Sequence, residues 1–305
     1  MSAAPVIAVG TTDGIWFPGT DQPTEFAGRN VAQLRSTNAV LWAVVDGRTV
    51  ARRGPSGGWE SIAEVADLRL NCVLPLGDGV LVGTSSAHLL EISGGVIERL
   101  QTFDAAPGRD QWFTPWGGAP DVRSIDADDD RIYVNVHVGG ILRSDHQLES
   151  WDPTLDINAD VHEIHVVPRR TDLLLAACSW GLAVSTNGGD SWSFLADGMH
   201  AHYCRAVVAV GDFALVTAAL GPRGGQGAVY RCPLDKPEAL EKCERGLPAW
   251  FDDNIDTGCV AARDELAVLG SADGRVFASE DAGATWSEVA SGLPEIRGVA
   301  LVNSQ

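Results

Sequence analysis

The histidines of this 305-residue chain concentrate between positions 137 and 202. His137, His162, His200 and His202 bring imidazoles that hold Zn, Cu or Fe when two or three converge. Placed singly beside substrate, the same groups exchange protons as an acid and base pair. Asp160 and Glu163 flank His162, and Tyr203 follows His202. The catalytic candidates are therefore His162, His202, Asp160 and Tyr203, and the metal candidates are His137, His162, His200 and His202. The competing reading is a set of separate loop histidines, each with its own hydrogen bonds, and no paired-histidine spacing on a helix selects against it.

Other residues offer binding rather than proton transfer. Arg123 and Arg297 occupy the same place in a repeated strand pattern as His162 and Cys204, so two guanidiniums would meet an anionic group such as a carboxylate. The plainer alternative pairs them with Asp121 and Glu295. Segment 102–123 carries Trp112, Phe113 and Trp116, too much aromatic area for an inert solvated turn, so it would either close over a site or pack on a neighbour. Trp180 and the stretch Trp250-Phe251-Asp252-Asp253-Asn254 add further aromatic candidates. Asp160, Asp252, Asp253 and Asp256 are further loop carboxylates, with no spacing to choose among them.

The elements that position these residues follow from composition and repetition. Lys and Arg number 22 against 41 Asp and Glu, a formal charge of −19 with no basic run. Such a chain repels phosphate backbones, which argues against nucleic acid as a partner. No apolar run approaches the roughly 18 residues that span a bilayer, and the start, MSAAPVIAVGTTDG, lacks a basic leader. The expectation is a cytoplasmic protein without membrane contact. Six cysteines fit no metal spacing and read as reduced, mostly buried thiols, with Cys232 and Cys243 able to face each other across a hairpin.

Short runs rich in Val, Leu and Ala recur: VIAVGTT, VLWAVV, GVLVGTS, RIYVNVHV, DLLLAACS, FALVTAAL and ELAVLGS. Most are followed by a turn glycine and a second short strand. The turn markers fall at Gly14, Gly47, Ala87, Gly140, Gly181, Gly227 and Gly274, between 33 and 53 residues apart. A period of roughly 40–50 residues with four short strands describes a propeller blade. Seven markers predict an all-β, seven-bladed β-propeller forming one domain over 1–305. The blades are expected at 1–30 plus 295–305, 31–66, 67–120, 121–159, 160–200, 201–254 and 255–294. In this phase IRGVALV, residues 296–302, supplies the innermost strand of the first blade and leaves no open edge.

Two stretches repeat closely, STNGGDSW at 185–192 and SEDAGATW at 279–286. RSDHQLESW, 143–151, keeps Ser144, Ser150 and Trp151 in register, and GPSGGW, 54–59, keeps little beyond Trp59. They fall between third and outer strands. There Asp or Asn would bond turn amides, Gly would allow positive φ, and Trp would pack between sheets. The pattern resembles the Asp-box, or BNR repeat, of sialidases, sortilin-type receptors, xyloglucanase-type glycosidases and YCF48-like photosystem assembly factors.

The resemblance implies a propeller whose repeated motif is a structural staple on the face opposite the usual site. It implies function less narrowly. The chain has no Arg-Ile-Pro segment of the sialidases and only three tyrosines, Tyr133, Tyr203 and Tyr230. Its length suits one propeller rather than the tandem pair of a xyloglucanase, and it lacks a YCF48-like basic patch. The favoured expectation is therefore binding of a small molecule, peptide or partner protein at the aromatic, histidine-rich upper face. The ligand residues would be Trp112, Trp116, Arg123, Trp180, Trp250 and Arg297. A hydrolase or lyase using the histidines, with a Zn, Cu or Fe ion, and a glycoside hydrolase-like enzyme are the alternatives.

Overall fold

The computed structural model describes residues 5–37 and 40–303. Residues 1–4 and 304–305, which the expected first blade includes, and residues 38 and 39 of the second lie outside it. Among the described residues the strands form seven antiparallel sheets, six of them four-stranded meanders in chain order. The seventh joins Val6–Thr11 and Gly14–Trp16 to Ile296–Val302. Ile296–Val302 pairs with Val6–Thr11 from Val6 opposite Val302 to Thr11 opposite Ile296. The end of the chain thus supplies the inner strand of the first sheet. The molecule is a seven-bladed β-propeller. In place of a fourth strand, this first blade has a single bridge between Ile15 and Glu25.

The strand sequence explains both the blades and their stacking. In the fifth blade Val161–Val166 is innermost, followed by Leu174–Cys178, Gly181–Ser185 and the outer strand Ser193–Leu195. The middle strands are buried on both faces, so they read as continuous apolar runs rather than alternating ones. Each sheet lays its side chains against the next. Leu175, Leu182 and Val184 of the fifth blade meet Val207, Val216 and Tyr230 of the sixth. Val208 and Leu215 of the sixth join Val268, Phe277 and Trp286 of the seventh. The core is therefore a series of layers between blades, set around a central channel.

The recurring turn glycines have a steric cause. Gly140, Gly181 and Gly274 adopt φ of 78°, 116° and 80° between second and third strands. A Cβ at any of them would strike the carbonyl oxygen of Leu155, Leu195 or Leu293, where the chain of the outer strand crosses the turn. Ala87, standing where the third blade would have this glycine, also takes positive φ, at 50°.

STNGGDSW and SEDAGATW do lie between third and outer strands. Asp281 Oδ1 accepts from the Thr285 amide at 2.7 Å and from the Ser279 hydroxyl at 2.8 Å, while its Oδ2 accepts from the Thr285 hydroxyl at 2.6 Å. Asn187 Oδ1 accepts from the Ser191 amide at 3.0 Å. Ser185 and Ser279 hydroxyls accept from Gly189 and Gly283 amides at 2.9 and 2.8 Å. Trp286 is buried, Trp192 half-buried, and Trp151 of the looser copy is buried beside Phe103. All six cysteines are buried free thiols, so Cys232 and Cys243 are not bonded. Among the described residues no helix is long and apolar enough to cross a membrane.

Candidate functional site

The inner strands carry the site, and they do so through a shared irregularity. Near the upper end of six of them the pairing slips by one residue. The residue left out of the ladder is Ala32, Asn71, Arg123, His162 or Arg297 in five blades. In the sixth blade Arg205 and Ala206 together oppose Thr217. A β-bulge of this kind re-aims one side chain. Five of these residues, Ala32, Asn71, Arg123, Arg205 and Arg297, line one cavity of about 640 Å³ at the upper mouth of the channel. Cys204 was expected at the matching place, but it is buried in the ladder opposite Ala218. Its register matches that of Val122 and Val161, so the place of Arg123 and His162 falls on the next residue, Arg205, which strand counting alone does not find.

The mouth reverses the sign of the molecule. Arg69, Arg123, Arg205, Arg223 and Arg297 line it with four acids, Asp121, Asp253, Asp256 and Glu295, in a chain of charge −19. Arg205 Nη1 donates to both Asp256 oxygens at 3.0 and 3.1 Å, and its Nη2 to the Tyr203 hydroxyl at 3.4 Å and the Pro222 carbonyl at 3.3 Å. Burial alone would raise the Asp256 pKa, yet Arg205 and Arg123 outweigh it and hold the group below its usual range. Arg297 pairs with Glu295 at 3.0 Å, the plainer of its two expected roles. Arg123 does not pair with Asp121. Its Nη1 is buried with no hydrogen-bond partner, and burial pulls its pKa down. Among the described residues no carboxylate lies within ion-pair distance of it.

Beside Arg123 three of the expected residues converge. His137 follows the second strand of the fourth blade, Asp160 ends the short helical turn Ile157–Ala159, and His162 is the bulge residue of the fifth blade. His137 Nε2 is 2.9 Å from Asp160 Oδ1, and His162 Nε2 is 3.7 Å from Asp160 Oδ2. His162 Nδ1 contacts the Cys204 carbonyl at 2.7 Å, which makes Nδ1 the protonated nitrogen. Burial, aided by the Arg123 charge, lowers the His162 pKa to about 3, so its ring is neutral. Burial raises Asp160 and the two imidazoles lower it, the lowering prevailing. Tyr203 packs at a tilt against His162, 4.8 Å between ring centres, and Trp116 packs at a tilt against His137 at 5.2 Å.

The remaining candidates lie elsewhere. His200 Nδ1 contacts the Tyr230 hydroxyl at 2.6 Å, and its ring packs 4.5 Å from that of Trp250. His202 is exposed. Neither belongs to the group formed by His137, Asp160 and His162. His88 meets Asp104, His146 the Asp128 carbonyl, and His165 the buried Asp126 toward the opposite mouth. Trp112 packs on Phe103 and under Arg109, which makes it a support for its segment. Phe113 and Trp116 are 59% and 68% exposed, and Trp180 and Trp250 are exposed on loops of the same face. Asp252 and Asp253 are exposed, with Asp253 at the cavity edge.

No protein-family profile matches the chain, and no curated protein matches it. Solved structures do. YCF48 bound to D1 peptide is similar with a TM-score of 0.58 at 17% identity, over 94% of this chain and 99% of that one. The WD40 β-propeller domain of Doa1 gives 0.63 at 14% identity, over 94% and 87%. The Niastella koreensis GH74 enzyme gives 0.61 at 12% identity over 92% of this chain, which spans 46% of the enzyme chain. At these identities the likeness is one of fold.

Proposed function

We propose that the protein is a binding propeller that takes a peptide or protein segment on its upper face and holds one carboxylate of that segment in the arginine-lined mouth. Arg123 carries this reading. Arg123 is half-buried, but its Nη1 is enclosed without a hydrogen-bond partner, an arrangement that is costly unless a ligand completes it, and the planar fork suits a carboxylate. The strongly negative remainder of the molecule repels polyanions. The partner is therefore a neutral or basic segment with a single carboxylate directed inward. Phe113, Trp116, Trp180 and Trp250 give the surrounding face exposed aromatic area of the kind that anchors interfaces.

Several observations support the setting. YCF48, similar in fold, was solved with a peptide bound. The paired turns at 185–192 and 279–286, with their Asn187 and Asp281 bonds, support kinship with Asp-box propellers. Six free buried thiols favour a reducing, cytoplasmic compartment. A histidine-dependent hydrolase or lyase is the second reading, favoured by the convergence of His137, Asp160 and His162.

The test is a fluorescence-anisotropy screen of random peptides with free C-terminal carboxylates against the same set amidated. Binding confined to peptides with a free carboxylate, terminal or side-chain, supports the proposal. Equal binding of carboxylate-free peptides, or binding unchanged in Arg123→Ala, overturns it. Binding only of small organic acids would move the ligand class from peptide to small molecule and overturn the peptide part.

A further inference from the structure

The group at His137, Asp160 and His162 has a property that anion binding does not use. Its donor atoms all lie within 4.8 Å of one another. His137 Nε2, Asp160 Oδ1 and His162 Nε2 are each buried and without a hydrogen bond. The 2.9 Å contact between His137 and Asp160 has the length of a hydrogen bond but not its direction. Three unpaired buried polar atoms in one cluster are expensive in a folded protein, since an unsatisfied buried polar atom costs about 1–3 kcal/mol. Something at their centre would satisfy all three together.

The support around them fits a metal. His162 is fixed by its Nδ1 contact with the Cys204 carbonyl, leaving the Nε2 lone pair turned toward Asp160. Metal-bound histidines are oriented by such an outer hydrogen bond. Asp160 sits at φ 49°, a left-handed backbone that Asp and Asn tolerate better than most residues. Two imidazoles and one carboxylate are the donors of borderline divalent ions, whose bonds are about 2.0–2.2 Å.

We propose that His137, Asp160 and His162 form a binding site for one divalent first-row transition ion, with its other coordination positions open. The proposal does not depend on the peptide reading. The Arg123 charge opposes a cation here, so its removal should tighten metal binding, the reverse of its effect on a carboxylate ligand.

The experiment uses untagged protein, stripped with chelator and dialysed, then titrated with Zn²⁺ by calorimetry and with Co²⁺ by visible absorption. The expected result is one equivalent of each ion, with a Co²⁺ spectrum showing nitrogen and oxygen ligation. His137→Ala and Asp160→Asn should each weaken Zn²⁺ at least about tenfold, as outer and inner ligand changes do, while exposed His202→Ala leaves it unchanged. Asp160→Asn keeps a residue suited to the left-handed backbone, and circular dichroism verifies each fold. Failure of the wild-type protein to bind either ion overturns the proposal whatever the variants do. So does Zn²⁺ binding that survives His137→Ala and Asp160→Asn but is lost in His202→Ala.

Discussion

Arg123 and Arg297 look alike in sequence and differ in physics. Arg297 has solvent and Glu295, whereas Arg123 is half-buried, with its Nη1 enclosed and no ion-pair partner. In the free protein Arg123 is a liability, because a charged group with an enclosed, unpaired nitrogen is worse placed than a hydrophobic residue of similar size. Arg123→Met should accordingly raise the unfolding free energy of the ligand-free protein by roughly 1 kcal/mol or more, measured by urea denaturation. Arg297→Ala should change it by less than about 0.5 kcal/mol. A loss of stability in Arg123→Met would mean that the guanidinium is satisfied within the fold. The two arginines were recognisable from their repeat position, but Arg205 was not. In the ladder Cys204 opposite Ala218 matches Val122 opposite Val136, so the place of Arg123 falls one residue later, on Arg205, and no local feature of YCRAVV announces where the bulge sits. His200 and His202 were grouped with His137 and His162 for a similar reason. Blade phasing gives the face on which a residue lies but not the radius at which it sits.

At the scale of single elements, the third-to-outer turns were the most legible part of the chain, because their hydrogen bonds are local and written in adjacent residues. Asp281 and Asn187 do one job with different charge. The Thr285 hydroxyl, together with nearby turn amides, lowers the Asp281 pKa to about 2. A carboxylate depressed in the folded state contributes stability above its unfolded pKa, and that contribution disappears as pH falls through the folded value. Wild-type protein should therefore lose thermal stability between about pH 4 and pH 2 partly through this turn. Asp281→Asn, copying the sister turn, should change the midpoint little at pH 7 and remove part of the acid-side loss. Melting curves at pH 3 and pH 7 check this. The tryptophans of the turns differ by burial. Trp286→Ala should cost about 3–5 kcal/mol, and half-buried Trp192→Ala distinctly less, read from denaturant midpoints. Equal costs would contradict the packing described.

For the whole molecule, the period of the apolar runs and their turn glycines made seven blades readable before any coordinates. Closure was readable too, since IRGVALV had no partner in its own neighbourhood and VIAVGTT lacked an inner strand. The ligand was not readable, because it depends on cooperation among strands far apart in sequence. Deleting Ile296–Val302 should leave Val6–Thr11 as a bare inner edge beside the channel. The truncated chain is expected to aggregate or to melt without a cooperative transition, tested by size-exclusion chromatography and calorimetry. A monomeric truncation with an unchanged midpoint would deny closure its role. The same ring of inner strands gathers five arginines into one mouth of a molecule of charge −19. The most direct test of that arrangement is calorimetric titration of wild type and Arg123→Met with one peptide from the screen, in free-acid and amidated forms. The account predicts that wild type prefers the free acid by about 10- to 100-fold, the range of a charge-assisted hydrogen-bonded contact, and that Arg123→Met removes the preference. Equal affinity for both forms in wild type, or a preference that survives Arg123→Met, would contradict it.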